Sequence, residues 1–227
     1  MLSLGLGAPG HPARTVLCLG AHSDDIEIGC GGTVLRLAEA ASDLTVHWVV
    51  LSASGVRVAE AERSAERFLA RVPKAEVIIK DFRASFFPFV GAEIKEFFEL
   101  LKDRIDPDLV LTHARHDLHQ DHRLTAELTW NTFRDHLVLE YEIPKYDGDL
   151  GAPNAFVPLA ADHYQAKVEH LLECFPSQRT RPWFTRDTFL ALMRLRGVES
   201  NAPSGYAEAF YCKKAVLIPT TAHGSMV

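Results

Sequence analysis

Short apolar runs alternate along the chain with segments whose hydrophobic positions recur at helical spacing, the pattern of a mainly parallel sheet covered by helices on both faces. Residues 16–21, 44–52, 76–80 and 108–112 read as successive strands, and 136–143 as a further one that stops at Pro144. Between them, residues 31–42 place Val34, Leu35, Leu37 and Ala38 on one helical face, 59–71 alternate alanine with charge, and 93–104 repeat Ile94, Phe97, Phe98 and Leu101 at helix spacing. Residues 124–135, 161–175 and 185–196 read as helices, and 145–155, rich in Gly, Pro, Asn and Asp, as a loop. Residues 207–218 read as a last strand or hairpin and 220–227 as a loose tail. The expected class is α/β.

Composition narrows this picture. A chain of 227 residues, 47% hydrophobic, is long enough for one well-buried domain and short for two, so a single domain over 1–227 is expected, with a core at about 15–135 and a variable part at about 136–219. A formal charge of −6 argues against a nucleic-acid partner, which needs a basic face. No apolar stretch approaches the ~20 residues that cross a bilayer, and residues 1–7 lack the positive region of a secretory leader. Cys18, Cys30, Cys174 and Cys212 show no Cys-x-x-Cys spacing and read as reduced residues of a cytoplasmic protein.

The chemistry lies in two clusters. The first strand runs into Gly20-Ala21-His22-Ser23-Asp24-Asp25, followed by Gly29-Cys30-Gly31-Gly32. The fourth ends at His113 and is followed by His116 and then Asp117-Leu118-His119-Gln120-Asp121-His122. Adjacent carboxylates beside a histidine in a crevice are costly unless a cation compensates them. Together the clusters offer His22 and Asp25 from one strand end and His122 from another, two nitrogens and one oxygen with a position left for water, as in a catalytic rather than a structural zinc site. The glycines lack G-x-G-x-x-G spacing, and they are expected to let the backbone turn tightly beside the metal loop.

The two clusters resemble the paired motifs of the PIG-L (LmbE-like) family of metal-dependent de-N-acetylases. That family's first motif runs His-Pro-Asp-Asp-Glu, or a variant with Ile-Glu in the last place, before Gly-Cys-Gly-Gly; its second runs roughly Asp-x-His-x-Asp-His. Ser23 stands where the proline is usual, and Ile26-Glu27 follows the variant. The resemblance covers residues 15 to about 130. It implies a Rossmann-like three-layer sandwich with the metal at the carboxyl ends of the strands, and removal of an acyl group, most simply acetyl, from an amino-sugar-containing small molecule or glycoconjugate.

Carried over residue by residue, the resemblance implies His22, Asp25 and His122 as ligands of Zn2+, with Fe2+, Co2+ or Mn2+ as alternatives that such a site also accepts. It further implies Asp24 as the general base and His119 as the protonated group that stabilises the oxyanion or protonates the leaving amine, with Asp121 keeping His119 charged or oriented. Arg57 with Glu60 fits an Arg-x-x-Glu pair on the substrate side, and Arg63 with Glu66 fits it equally. Tyr206 and Glu208 are expected to reach the pocket from the last strand, and Arg179, Arg181 and Arg186 around Trp183 and Phe184 form either a phosphate-and-sugar site or a subunit contact. Relatives imply a homo-oligomer, trimer or hexamer. Two other functions remain open: metal-dependent hydrolysis of an ester, phosphoester or non-sugar amide, and a non-catalytic binding protein on the same fold.

Overall fold

The computed structural model describes residues 6–8, 11–12 and 14–216. Seven strands form one sheet: β1 (Thr15–His22), β2 (Thr45–Ser52), β3 (Lys74–Ile79), β4 (Leu109–His113), β5 (Leu137–Tyr141), β6 (Ala155–Pro158) and β7 (Ala207–Cys212). Among the described residues six α-helices accompany them: α1 (Asp25–Ala40), α2 (Val56–Phe68), α3 (Gly91–Arg104), α4 (Gln120–Thr132), α5 (Ala161–Cys174) and α6 (Arg186–Glu199). The strand order is β3-β2-β1-β4-β5-β7-β6, parallel from β3 to β5 and antiparallel for the last two pairings.

The inner strands read as unbroken apolar runs because both faces are covered. Val16 and Cys18 of β1, with Val46, Trp48 and Val50 of β2, enter one core together with α1, α2, α5 and α6. Leu17, Leu19 and Ala21, with Val49 and Leu51, enter the other together with α3 and α4. The expected three-layer α/β sandwich is present. Its chain leaves β1 to build β2 and β3 on one side, then crosses to β4 and β5 on the other. That reversal opens a crevice at the carboxyl ends of β1 and β4, where ligands bind in such sheets.

Four sequence expectations are corrected. Helix α1 begins at Asp25, not at residue 31, so Gly29-Cys30-Gly31-Gly32 lies inside the helix rather than in a turn. Close packing explains these glycines: a Cβ at Gly29 would sit 2.1 Å from the Tyr141 ring, one at Gly31 2.5 Å from Phe68, and one at Gly32 2.6 Å from Leu159. Helix α4 begins at Gln120 rather than at 124, which puts Asp121 and His122 on its first turn. Strand β6 was not apparent from the pattern. It borders only β7, at the sheet edge, and its four residues are half-buried. The last strand ends at Cys212; residues 217–218 of the expected strand and the tail at 220–227 lie outside the described residues.

Candidate active site

Both clusters lie between a strand end and a helix N-terminus, the first across only residues 23–24 and the second across residues 114–119. His22 closes β1, Asp24 is the residue before α1, and Asp25 is its first residue; the Asp25 carboxylate accepts the His22 backbone N–H at 2.6 Å. A carboxylate there also meets the positive end of the helix dipole. On the other side His119 caps α4, its Nδ1 accepting the Asp121 backbone N–H at 3.2 Å, and His122 follows within the first turn.

The sheet brings His22, Asp25 and His122 together across this crevice. His22 Nδ1 lies 3.2 Å from His122 Nε2 and 3.3 Å from Asp25 Oδ2, and His122 Nε2 lies 3.5 Å from Asp25 Oδ1. Ligands 2.0–2.1 Å from a tetrahedral ion are about 3.3–3.4 Å apart, so this triangle is the right size for zinc. The hydrogen-bond partners agree with that use. His122 Nδ1 faces Asp117 Oδ2 at 2.9 Å and His22 Nε2 faces Asp121 Oδ2 at 3.1 Å, so with an ion bound each carboxylate would take an imidazole N–H and leave the other ring nitrogen's lone pair turned inward. Overlapping groups, His22/His119/Asp121 and His113/Asp117/His122, are likewise close enough to share an ion, but they contain these paired carboxylates.

The buried groups here hold one another's charge states away from their ordinary values. Burial opposes the charged form of His22, yet Asp25 and Asp121 outweigh it and raise its pKa from 6.5 to about 10. Burial also raises Asp25, but His122, His113 and His22 prevail and hold it well below the usual carboxylate range. His122 is lowered to about 4, first by burial and then by His113. Burial raises the Asp24 carboxyl against the pull of Arg57, whose Nη2 donates to Asp24 Oδ1 at 2.7 Å.

Asp121 does not serve His119 as expected. Its Oδ2 accepts from His22 Nε2 and from the Ser85 backbone N–H at 2.5 Å, and its Oδ1 accepts from Phe87 N–H at 3.2 Å. The first turn of α4 sends this carboxylate's hydrogen bond across the crevice to β1; it lies near the His119 ring but takes its imidazole hydrogen bond from His22. His119 is also not kept charged, since burial and the neighbouring His22 lower its pKa. With Nδ1 accepting a backbone N–H, its proton sits on Nε2, and His119 is a neutral donor stacked on His122 with centroids 4.5 Å apart.

Arg57, not Arg63, stands beside the cluster. Glu60 is buried and accepts from Ser177, while Arg63 donates to the Cys174 carbonyl. Glu208 and Tyr206 are not brought there. Glu208 is buried against α1 and accepts from Gly32 N–H, Thr33 N–H and Oγ1, and Lys167 Nζ, all within 2.8 Å. Tyr206 stacks on Tyr164 at 4.0 Å. Within the arginine/aromatic stretch Phe184 is buried in the core and Arg179 donates to the Leu172 carbonyl, while Arg181 and Arg186 are exposed. Lys145, 3.0 Å from Asp117, and Ser177 join the site from the C-terminal part, where no local motif marks them.

Residues 17–133 match the PIG-L family, described as GlcNAc-PI de-N-acetylase. The uncharacterized deacetylase YaiS of Escherichia coli K12 is 26% identical over 180 residues, covering 75% of this chain and 96% of its own. The N,N'-diacetylchitobiose deacetylase of Pyrococcus horikoshii superposes with a TM-score of 0.68 at 20% identity, covering 90% of this chain and 85% of its own. GalB, the 4-carboxy-2-hydroxymuconate hydratase of Pseudomonas putida, gives 0.69 at 19% identity, covering 92% of this chain and all (100%) of its own. At such identities these structures establish a shared fold, and a fold that carries both a deacetylase and a hydratase does not by itself set the reaction.

Proposed function

This chain belongs to the PIG-L family, and from that premise we propose that it is a zinc-dependent hydrolase removing an N-acyl group, N-acetyl first, from an amino-sugar-containing small molecule or glycoconjugate. The observation that carries the reading is the His22/Asp25/His122 triangle, with lone pairs turned inward by Asp121 and Asp117. When bound there, zinc polarises a carbonyl and lowers the pKa of water to ~7.

The chain's own residues supply the remainder. Asp24 takes the proton of the attacking water, whose oxygen forms the new bond to the acyl carbon, and passes it to the amine nitrogen as the C–N bond breaks. Its upward-shifted carboxyl suits a group that must both accept and return a proton. His119 Nε2–H donates to the developing oxyanion as a neutral imidazole, in the manner of other preorganised donors. Asp121 orients His22 rather than His119. Arg57 holds Asp24 and keeps part of its side chain exposed, so in this reading it can meet a substrate hydroxyl or anion.

Among the described residues no helix is long and apolar enough to cross a membrane, and all four cysteines are free thiols. Cytoplasmic location and trimeric or hexameric assembly go with this reading as proposals, the latter checked by sedimentation. The deciding experiment measures acetate release from N-acetylglucosamine, diacetylchitobiose and other N-acetylated sugars by the zinc-loaded protein, beside ester, phosphoester and non-sugar amide substrates. Turnover confined to the N-acetyl sugars is expected. Turnover confined to the other arms, or undiminished after metal removal, would overturn the reading.

A further inference from the structure

Helix α2 presents Arg57, Glu60, Arg63 and Arg67 towards the end of α5 and the short turn Pro176–Gln178 that follows it. Arg67 pairs with Glu173, and Arg63 Nη2 donates to the Cys174 carbonyl at 2.7 Å, so the end of α5 is docked on α2 at two points. Phe175 then lies under the Arg57 guanidinium, 5.4 Å from Cζ to ring centre. Ser177 makes a two-point contact with Glu60: its backbone N–H donates to Oε1 at 2.8 Å and its hydroxyl to Oε2 at 2.6 Å. Arg57 Nη1 sits over both partners, 3.4 Å from Glu60 Oε2 and 3.3 Å from Ser177 Oγ, while Nη2 reaches Asp24 at 2.7 Å.

We propose that Ser177 is a positioning residue of the active site: with Glu60 it clamps one amino group of Arg57 so that the other stays on Asp24. A guanidinium is a planar fork, so fixing Nη1 fixes the direction of Nη2. Without the clamp, Asp24 and the face of Phe175 alone hold Arg57, and other rotamers of its long side chain compete. The hydroxyl also works on Glu60, because a serine donating to Oε2 leaves that oxygen oriented towards Nη1. Ser177 itself is exposed and belongs to neither hydrophobic core, which separates this role from simple packing. It lies beyond residues 17–133, so a segment outside the family match completes the geometry of the base.

The inference rests on the proposed hydrolase reading for its kinetic consequence, and two readouts keep them apart. In 15N-edited NMR spectra of the zinc-loaded protein, the Arg57 Nη protons should be resolved in the wild type through restricted rotation and should collapse to an averaged signal in Ser177→Ala. Ser177→Thr, which keeps both donors, should restore them. In the acetate-release assay Ser177→Ala should lower kcat about tenfold, the scale of one hydrogen bond involving a charged partner, with KM within about twofold. In an Arg57→Ala background the same change should have no further effect. Unchanged Arg57 signals in Ser177→Ala, or losses that multiply independently in the double variant, would overturn the clamp. If the wild-type protein releases no acetate, the hydrolase reading fails while the NMR comparison still decides the clamp.

Discussion

Glu27→Gln removes a carboxyl that the fold holds in its protonated form. The side chain is fully buried on α1, where among the described residues its oxygens make no well-formed hydrogen bond and the Ser64 hydroxyl offers a weak one. Burial raises its pKa from 4.5 to about 8; Ser64 opposes this, and the charges of Asp24 and Asp25 add to it. The folded pKa lies above the unfolded one, so the proton binds the folded chain more tightly. Its contribution is fully present below pH 4.5 and is lost as the pH rises to about 8. Over that window stability falls by ~1.4 kcal/mol per pH unit from this group, with an upper bound of about 5 kcal/mol. Glutamine has no proton to lose, and its buried amide costs ~1–3 kcal/mol at every pH. The wild type should therefore be the more stable protein near pH 5 and the variant the more stable near pH 8. Urea denaturation followed by circular dichroism across this range measures the difference, with chelator in both samples so that metal binding at Asp25 does not enter. Histidines common to the two proteins cancel in the comparison. Parallel stability curves would refute the reasoning, because they would mean that Glu27 is already ionised in the folded chain.

Further predictions concern the site and its support. Asp24→Asn should leave zinc content unchanged and lower kcat by ~10²–10⁴-fold, as for loss of a general base; metal analysis and steady-state kinetics check both halves. Asp121→Asn should weaken zinc binding by ~10–100-fold through His22, measured by competition with a chromophoric chelator, and a change confined to His119-dependent steps would favour the pairing that the sequence implied. Gly29→Ala should lower the thermal midpoint, since its methyl group would lie within 2.1 Å of the buried Tyr141 ring and overpacking costs ~1–3 kcal/mol.

How far the site was legible varies from residue to residue. That His22, Asp25 and His122 meet could be expected, because the first two stand at the end of one apolar run and the third in the motif that follows another, and strand ends of a parallel sheet converge where the chain order reverses. The arginine pair could not be chosen, since positions 57/60 and 63/66 share one spacing on one helix. The register of α2 against α5 decides it by sending Arg63 to the Cys174 carbonyl and leaving Arg57 for Asp24. Glu208 alternates with its neighbours as a pocket residue would, and only the approach of Lys167 and the α1 amides shows that its carboxylate is already engaged.

Hydrophobic periodicity thus determined the α/β layering and the main strands, and local motif spacing determined which side chains stand at the crevice. Both are short-range properties, set by the alternation of the strand and the turn of the helix. Tertiary packing decided which carboxylate faces which imidazole, why α1 carries glycines, and that Ser177 reaches Glu60 from 117 positions away. Those pairings depend on distances between elements remote in the chain, and a hydrogen bond forms or fails within a few tenths of an ångström that no local pattern encodes.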